Sequence, residues 1–247
     1  MELHHPHVAK KSFKEYFFEF IMIFLAVTLG FFAENIREHR VEREREIQFM
    51  HSLLEDLKID TTQVSNYIRF YRSIRNYCDS IQLSITHTNI FKNSNDFYNY
   101  TRKLAQYNRY YHTDRTIQQL KNAGNMRLIR KWNVSNAITE YDTQTKLLAE
   151  IDQQLNEEII KYREYLIEFL DLSSYDKSNP FGSFMDMSVH THGNPGFIGN
   201  DSKKSLVIYN QAFTLKIFLN GVENSANTVS KSAKQLLDLV QKEYEIH

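Results

Sequence analysis

Between Gly30 and Gly124 the sequence contains no glycine and no proline, and the whole chain of 247 residues has only 7 glycines and 3 prolines. Sandwiches, barrels and doubly wound α/β folds need many tight turns, and these two residues supply much of the backbone geometry of such turns. The sequence therefore excludes all-β and Rossmann-like folds and predicts an all-α protein.

The apolar run from Tyr16 to Ala33 is the strongest local signal. It contains one formally charged side chain, Glu19, and as a helix it extends about 27 Å, which just crosses the hydrocarbon core of a bilayer. A buried helix of a soluble protein and a cleaved signal peptide are the alternatives. The run is long for a signal peptide, and its exit lacks the small-x-small cleavage pattern because Phe31 precedes Ala33. We predict an uncleaved signal anchor, that is, a single-pass transmembrane helix over residues 16–33.

The orientation of this span is less constrained by the sequence. Basic residues lie on both sides of it, Lys10 and Lys14 before and Arg37 and Arg45 after, so the positive-inside rule does not choose a side. The leader, residues 1–15, is short and carries little that would need export. We therefore expect the N-terminus inside and the C-terminal body outside.

Glu19 shares one face of the span with three small residues. At 100° per residue, Ala26 and Gly30 lie within about 20° of Glu19 around the helix axis, and Ala33 lies about 40° away. Ala26-x-x-x-Gly30 permits close approach of two transmembrane helices, and a carboxyl group on the same line can hydrogen-bond across their contact. This small-residue stripe (Glu19, Ala26, Gly30, Ala33) predicts self-association or an integral membrane partner.

Two other interpretations of Glu19 stay open. It lies about one turn from the edge of the span, so its carboxyl group can reach headgroup water. Alternatively, an intramembrane carboxyl group can handle protons within a larger membrane complex.

Two long amphipathic helices are predicted within residues 34–172, a juxtamembrane rod and helical bundle. Apolar side chains step by three and four residues along each of them. The first helix should end between Ser84 and Asn89, and the second should begin at Asn133. We expect the two to pack as an antiparallel, coiled-coil-like pair within an elongated bundle. The predicted seams are Met50, Leu54, Leu57, Thr61, Val64, Ile68, Tyr71, Cys78, Ile81 and Ile85, and Val134, Ile138, Tyr141, Leu148, Ile151, Leu155, Ile159, Tyr162, Leu166 and Leu170.

Shorter helices should connect this pair. Asn95 or Asp96 is suited to cap a helix that we expect to reach about Tyr110, and Thr113 is suited to cap the next. Gly124 should end that helix in the left-handed conformation.

A chain reversal pinned by Leu128 and Ile129 should follow Gly124. The polar residues beside it, Asn125, Arg127 and Arg130, form either a structural corner or a recognition surface.

The last part of the chain divides into a loop and a helical region. Residues 173–202 concentrate glycine and proline and predict an irregular loop, whereas residues 203–247 predict a helical region that completes the bundle. Asp201 or Ser202 should start this region. Gly221 should kink or break it.

Signatures of catalysis and of metal binding are weak. His190 and His192, with Asp186 nearby, lack a third ligand at a regular spacing, and the glutamates between Glu157 and Glu168 lack the Glu-x-x-His pairs of a di-iron bundle. The lone cysteine, Cys78, lies on an apolar seam and reads as a small buried side chain. No nucleotide-binding or hydrolase motif occurs, and 30 basic residues balance 30 acidic ones. We expect no enzymatic activity, cofactor, metal or nucleic-acid partner.

Several stretches resemble a family of bacterial proteins of unknown function, found mostly in Bacteroidota. They are the Glu19-containing span ending in Glu34-Asn35, LLEDLKID over residues 53–60, QQLKNAGNMRLIRKWNVSNAITEYD over residues 118–142, and LLDLVQKEY over residues 236–244. The exit of the span, FFAENI, departs from the Gln-x-Asn-Asn-Trp that is usual in the family. The resemblance implies an N-terminally anchored helical protein and brings no catalytic residue. With the orientation expected above, the chain would lie in the bacterial inner membrane with its body in the periplasm.

These observations favour a non-enzymatic, membrane-anchored helical scaffold or accessory subunit. Its expected partners are membrane lipid and either a second copy of the chain or an integral membrane protein. The alternative is an anchored sensory or ligand-binding bundle that uses the loop at residues 173–202 as a lid.

Overall fold

The computed structural model describes residues 12–92, 94–122, 124–174, 194–199 and 202–246. Within these residues the fold is all-α, as predicted, with one isolated β-bridge between Leu170 and Phe197. The structure divides into two compact units, Met1–Phe49 and Met50–His247. The α-helices are α1 (Phe13–His87), α2 (Asn95–Leu104), α3 (Arg115–Asn122), α4 (Trp132–Phe169) and α5 (Ser202–Tyr244), with short 3-10 helices at Asn125–Leu128 and Leu172–Ser174.

The helix ends follow local chemistry. α1 ends at His87, inside the predicted range, where polar residues follow the apolar seam. Gly124 has a φ of 64°, which confirms the left-handed conformation expected after α3. α5 begins at Ser202 and continues through Gly221, so the predicted break there is wrong. Leu219 and Val222 on either side of Gly221 are buried, and their burial offsets the roughly 1 kcal/mol cost of a glycine in a helix.

The core of the second unit lies between α1, α4 and α5. Lys131 before α4 contacts Glu243 near the end of α5, and Lys204 near the start of α5 donates to the Glu168 carbonyl, so these two helices are antiparallel. Asp79 of α1 pairs with Lys216 at 2.5 Å, earlier in α5 than Glu223, which pairs with Arg72. α1 is therefore also antiparallel to α5.

The expected antiparallel packing of α1 and α4 is wrong, because the two helices are parallel. Asp60 meets Tyr141, and Tyr67, about two turns later on α1, meets Asp152, about three turns later on α4. Between α1 and α4 the chain runs back alongside α1. It starts near Ser94, just after the end of α1, and at Thr116 it is level with Asp56 of α1. Since this return brings the chain back before α4 begins, α4 runs in the same direction as α1.

The return path is only partly helical. α2 ends at Leu104 and not at Tyr110, and residues 105–114, here called the strap, have no regular secondary structure before α3 begins at Arg115. Backbone groups of the strap bond to side chains of α1 and α4, as described below. These contacts outweigh the local preference for a longer α2.

Candidate functional site

Three of the four buried aspartates among the described residues of the second unit face the strap and the start of α3. Asp56 and Asp60 lie one turn apart on α1, and Asp152 lies on α4; their exposed fractions are 1%, 0% and 4%. Burying a carboxylate is costly unless donors surround it. The donors in this case come mainly from the strap, from the start of α3 and from tyrosines.

Asp152 holds the centre of the strap. Its Oδ1 accepts the Tyr67 hydroxyl at 2.7 Å, and its Oδ2 accepts the Tyr107 hydroxyl at 2.7 Å and the Tyr110 backbone amide at 3.2 Å. Both oxygens are thus occupied by donors of this chain. Burial and the nearby Asp152 charge raise the pKa of Tyr67, so this phenol stays protonated and keeps donating.

Asp60 and Asp56 hold the end of the strap and the start of α3. Asp60 accepts the Thr113 amide at 2.6 Å and the Tyr141 hydroxyl at 2.5 Å. Asp56 accepts the backbone amide of Thr116 at 3.1 Å and its hydroxyl at 2.5 Å, and pairs with Arg115 at 2.7 Å. The first turn of α3 is therefore capped from α1 and not by its own preceding residues.

Two further side chains bond the strap backbone. The Tyr71 hydroxyl donates to the Asn108 carbonyl at 2.8 Å and accepts the Asn108 amide at 3.1 Å. Arg163 donates from Nε to the Ala105 carbonyl at 2.8 Å. The strap thus takes from side chains the hydrogen bonds that a helix would supply internally.

The spacing of the apolar residues indicates these buried aspartates, although the predicted seams did not include them. Asp60 lies three residues after Leu57 and four before Val64, so it fits the apolar spacing better than the assigned Thr61, which is half-buried. Asp152 likewise replaces the assigned Ile151 between Leu148 and Leu155. An aspartate at an inner position of an amphipathic helix indicates a buried acceptor with partners elsewhere in the fold.

This arrangement holds the strap, and its carboxyl groups are buried. Burial raises the pKa of Asp60, and its bonds with Tyr141 and Thr113 offset part of that effect. Cys78 is fully buried, as predicted, and burial raises the pKa of its thiol to about 12, which removes thiolate reactivity near neutral pH.

We expect Asp60→Asn to gain stability relative to the wild type as the pH rises. The folded-state pKa of Asp60 is raised, so its protonated form favours folding below the unfolded pKa, and this contribution is lost as the pH rises through the folded value. An asparagine amide does not titrate, so its contribution to the free energy of unfolding does not fall as the pH rises. Urea unfolding of both full-length proteins in detergent, at about pH 4, 6 and 8, measures the difference. A difference that stays constant with pH would contradict this prediction.

A cavity of about 540 Å³ lies between the strap and α4. Arg109 on the strap supplies a cation, and Tyr111 lies beneath it, with its ring centre 5.4 Å from the guanidinium carbon. Gln153 and Asn156 supply amides from α4. The full lining is Tyr107, Arg109, Tyr110, Tyr111, His112, Ala149, Asp152, Gln153 and Asn156.

The predicted small-residue stripe lies on the first unit. Ala26, Gly30 and Ala33 are exposed, and Glu19 is half-buried. A Cβ atom added at Gly30 would meet nothing within 4 Å. Just after the stripe, Arg37 pairs with Glu34 at 2.5 Å and lowers the pKa of that carboxyl group.

The structure does not bring the other predicted residues into the cavity. Asn125 bonds the Gln119 carbonyl at 3.3 Å, and Arg127 and Arg130 are exposed beside the buried Leu128 and Ile129. The corner therefore exists as predicted, and its role in recognition stays a prediction.

The weak metal-ligand pattern of His190, His192 and Asp186 lies outside the described residues. Of the loop at residues 173–202, the described part 194–199 packs at one end of the unit. Asn194 accepts the Ser94 amide at 2.7 Å, and the Phe197 ring contacts Phe169 at 4.8 Å between ring centres. Across the described ranges no group of three or more His, Cys, Asp or Glu is placed to hold a metal ion.

Comparison with protein-family models, with curated proteins and with solved structures gives no match. Two features of this chain bear on its function. One is the apolar surface of α1 before Phe49, and the other is the strap with its cavity.

Proposed function

We propose that the protein is a non-enzymatic, single-pass scaffold or accessory subunit of a membrane complex. It is anchored in the bacterial inner membrane by residues 16–33 and carries its helical body in the periplasm. The observation that carries this proposal is the apolar surface of α1 in the first unit.

α1 contains a window long and apolar enough to cross a membrane, and no residue of that window is buried inside the described protein. Ile23, Val27 and Phe31 are exposed by 66%, 68% and 72% of their surface. A core helix of a soluble protein would bury such side chains, as α1 itself does from Met50 to Ile81. Covering this surface with lipid removes apolar area from water at a gain of roughly 25 cal/mol per Å².

The backbone of this segment is also suited to lipid. Helical hydrogen bonds satisfy the backbone internally, which is the requirement for crossing a bilayer. The Thr28 hydroxyl donates to the Phe24 carbonyl at 2.7 Å, so this polar side chain needs no partner from outside the helix. The span is therefore compatible with lipid everywhere except near Glu19.

The small-residue stripe supports a helical partner within the membrane. Gly30 has open space where its side chain would be, so a second helix can approach its backbone closely. Glu19 lies on the same line, where its carboxyl group can bond to that second helix. The partner is either a second copy of the chain or another integral membrane protein.

We expect Ala26→Leu and Glu19→Gln to weaken the assembly at least about tenfold, because the first blocks close approach and the second removes the carboxyl group that bonds across the contact. The assay is purification of each tagged full-length variant from its native membranes in mild detergent, followed by mass determination and identification of co-purified proteins. Thr28→Leu is the matched control, since Thr28 lies about 180° from Glu19 around the helix.

The outcomes separate the two parts of the proposal. Loss of a stoichiometric partner in both variants, but not in Thr28→Leu, supports an intramembrane subunit. An assembly that is unchanged in both variants would remove the small-residue stripe from the proposal. If an alkaline wash extracts the wild-type protein from the membranes, the proposal that residues 16–33 anchor it in the bilayer is wrong.

The cavity beside the strap favours a second candidate function, an anchored ligand-binding bundle. Arg109 and His112 can neutralise an anion, Tyr111 supplies an aromatic wall, and the amides of Gln153 and Asn156 can orient a polar solute. The charge of Asp152 faces three donors of the chain itself. The lining therefore fits a small anion.

Saturable thermal stabilisation by citrate or inorganic phosphate tests this candidate. The full-length protein in detergent is compared with Arg109→Ala, and Arg127→Ala is the control because it removes an exposed arginine outside the cavity. Equal shifts in all three proteins would reject the cavity as the site.

A further inference from the structure

A long face of α5 carries no charge. The face, here called the α5 outer face, is exposed and spans about six turns. Only two charged residues lie between Leu206 and Thr228, and both are paired with α1: Lys216 with Asp79, and Glu223 with Arg72. The members of the face are Leu206, Asn210, Phe213, Ile217, Asn220, Gly221, Asn224 and Thr228.

Large apolar side chains are exposed on this face. Leu206, Phe213 and Ile217 show 56%, 53% and 57% of their surface, and they follow each other at helical spacing. Asn210 lies between Leu206 and Phe213, and beyond Ile217 the face continues with asparagine, glycine and threonine. The three apolar side chains thus form one line along α5, against which a second helix can pack.

The counterpart of such a face must also lack charge, since unpaired charges buried against it would be costly. The exposed face of α4 carries Glu140, Glu150 and Glu157, and the exposed face of α1 in the second unit carries Lys58 and Arg69. In this unit an uncharged and exposed line of α1 extends only from Ile59 to Ser73, about four turns, whereas the α5 outer face of another copy offers the full six turns.

We propose that two copies of the chain associate through their α5 outer faces, with Ile217 at the centre of the contact. If the two helices run in the same direction, each residue meets its own counterpart. If they run in opposite directions about Ile217, Phe213 of each copy lies over Gly221 of the other. A Cβ atom at Gly221 would meet nothing within 4 Å, so there is room for the phenylalanine ring.

This contact does not rest on the membrane anchor. A single pair of helices buries less surface than a standard protein interface, so the contact is modest in free solution. Copies that share a membrane, as the proposed function requires, have a high effective concentration, which strengthens a modest contact.

Cysteine cross-linking of the full-length protein in mild detergent tests the inference. We expect Ile217→Cys to form an intermolecular disulfide upon mild oxidation, because this position meets itself in either direction. The native Cys78 is fully buried and gives no background, and Leu147→Cys on the exposed face of α4 is the negative control.

Asn210→Cys and Asn224→Cys give the direction of the helices. Parallel helices cross-link at both positions, whereas in antiparallel helices each cysteine lies about 21 Å from its counterpart and does not react. Either pattern, together with cross-linking at Ile217→Cys, supports the contact.

Phe213→Glu should reduce the dimer at least about tenfold, as measured by light scattering, because it buries a charge in an uncharged contact. Leu147→Glu places the same charge on α4 and should leave the dimer unchanged. Absence of cross-linking at Ile217→Cys, or a mass unaffected by Phe213→Glu, would overturn the inference. An oligomer that Ala26→Leu disrupts and Phe213→Glu does not would also overturn the inference, and it would support the small-residue stripe instead.

Discussion

Replacing Asp152 by alanine should destabilise the second unit by about 4 kcal/mol, a large part of the stability of an average domain. The carboxylate accepts three hydrogen bonds, and alanine offers no acceptor. The Tyr67 hydroxyl and the Tyr110 amide would then be buried without a partner. Each such loss costs about 1–3 kcal/mol.

The same change should loosen the strap before the rest of the unit. Asp152 is the acceptor for both Tyr107 and Tyr110, near the middle of the strap. Without these bonds the strap is still held at Ala105 by Arg163, at Asn108 by Tyr71 and at Thr113 by Asp60, but no longer at Tyr107 and Tyr110. Limited trypsin digestion should therefore cleave after the exposed Arg109 faster in the variant than in the wild type.

Urea unfolding of the full-length protein in detergent measures the loss, and Glu150→Ala is the matched control. Glu150 is an exposed carboxylate on the same helix, so its removal should change stability by less than about 0.5 kcal/mol. Asp152→Asn should lie between the two, because its amide oxygen can still accept one or two of the bonds. Equal stability of Asp152→Ala and Glu150→Ala would show that the carboxylate does not hold the strap.

The helices and their buried seams follow from regular spacing, and sequence reasoning found most of them. Val64 and Tyr71 on α1 are buried as predicted, as are Leu148 and Leu155 on α4. Such positions depend on the local period of a helix, which a single sequence shows directly. The left-handed Gly124 was predictable for a similar reason, since few other residues adopt that conformation.

The strap and the direction of α4 were not predictable in this way. Both depend on contacts between residues far apart in the chain, such as Asp152 with Tyr67 and Asp60 with Thr113. Local propensity favours a continued helix after Leu104, and only the buried acceptors on α1 and α4 make an extended path stable. The aspartates were visible in the sequence as breaks in an apolar seam, but their partners were not.

Introducing two arginines at the centre of the apolar run, Phe24→Arg with Leu25→Arg, should release the protein from the membrane. Each arginine at the centre of a span costs about 2.5–3.5 kcal/mol on insertion scales. Glu19 is about one turn from the edge and too far along the helix to pair with either arginine at its own depth. The combined cost removes most of the gain that the apolar run provides.

Fractionation of the expressing cells, followed by an alkaline wash of the membranes, measures retention of the full-length protein. Ile36→Arg is the matched control, because Ile36 lies beyond the span among charged residues and is already exposed. We expect the control to stay in the membrane pellet and the double variant to appear in the soluble fraction or to be degraded. If the double variant stays in the washed pellet as firmly as the control, residues 16–33 are not the anchor, and their exposed apolar surface must be covered by a protein partner.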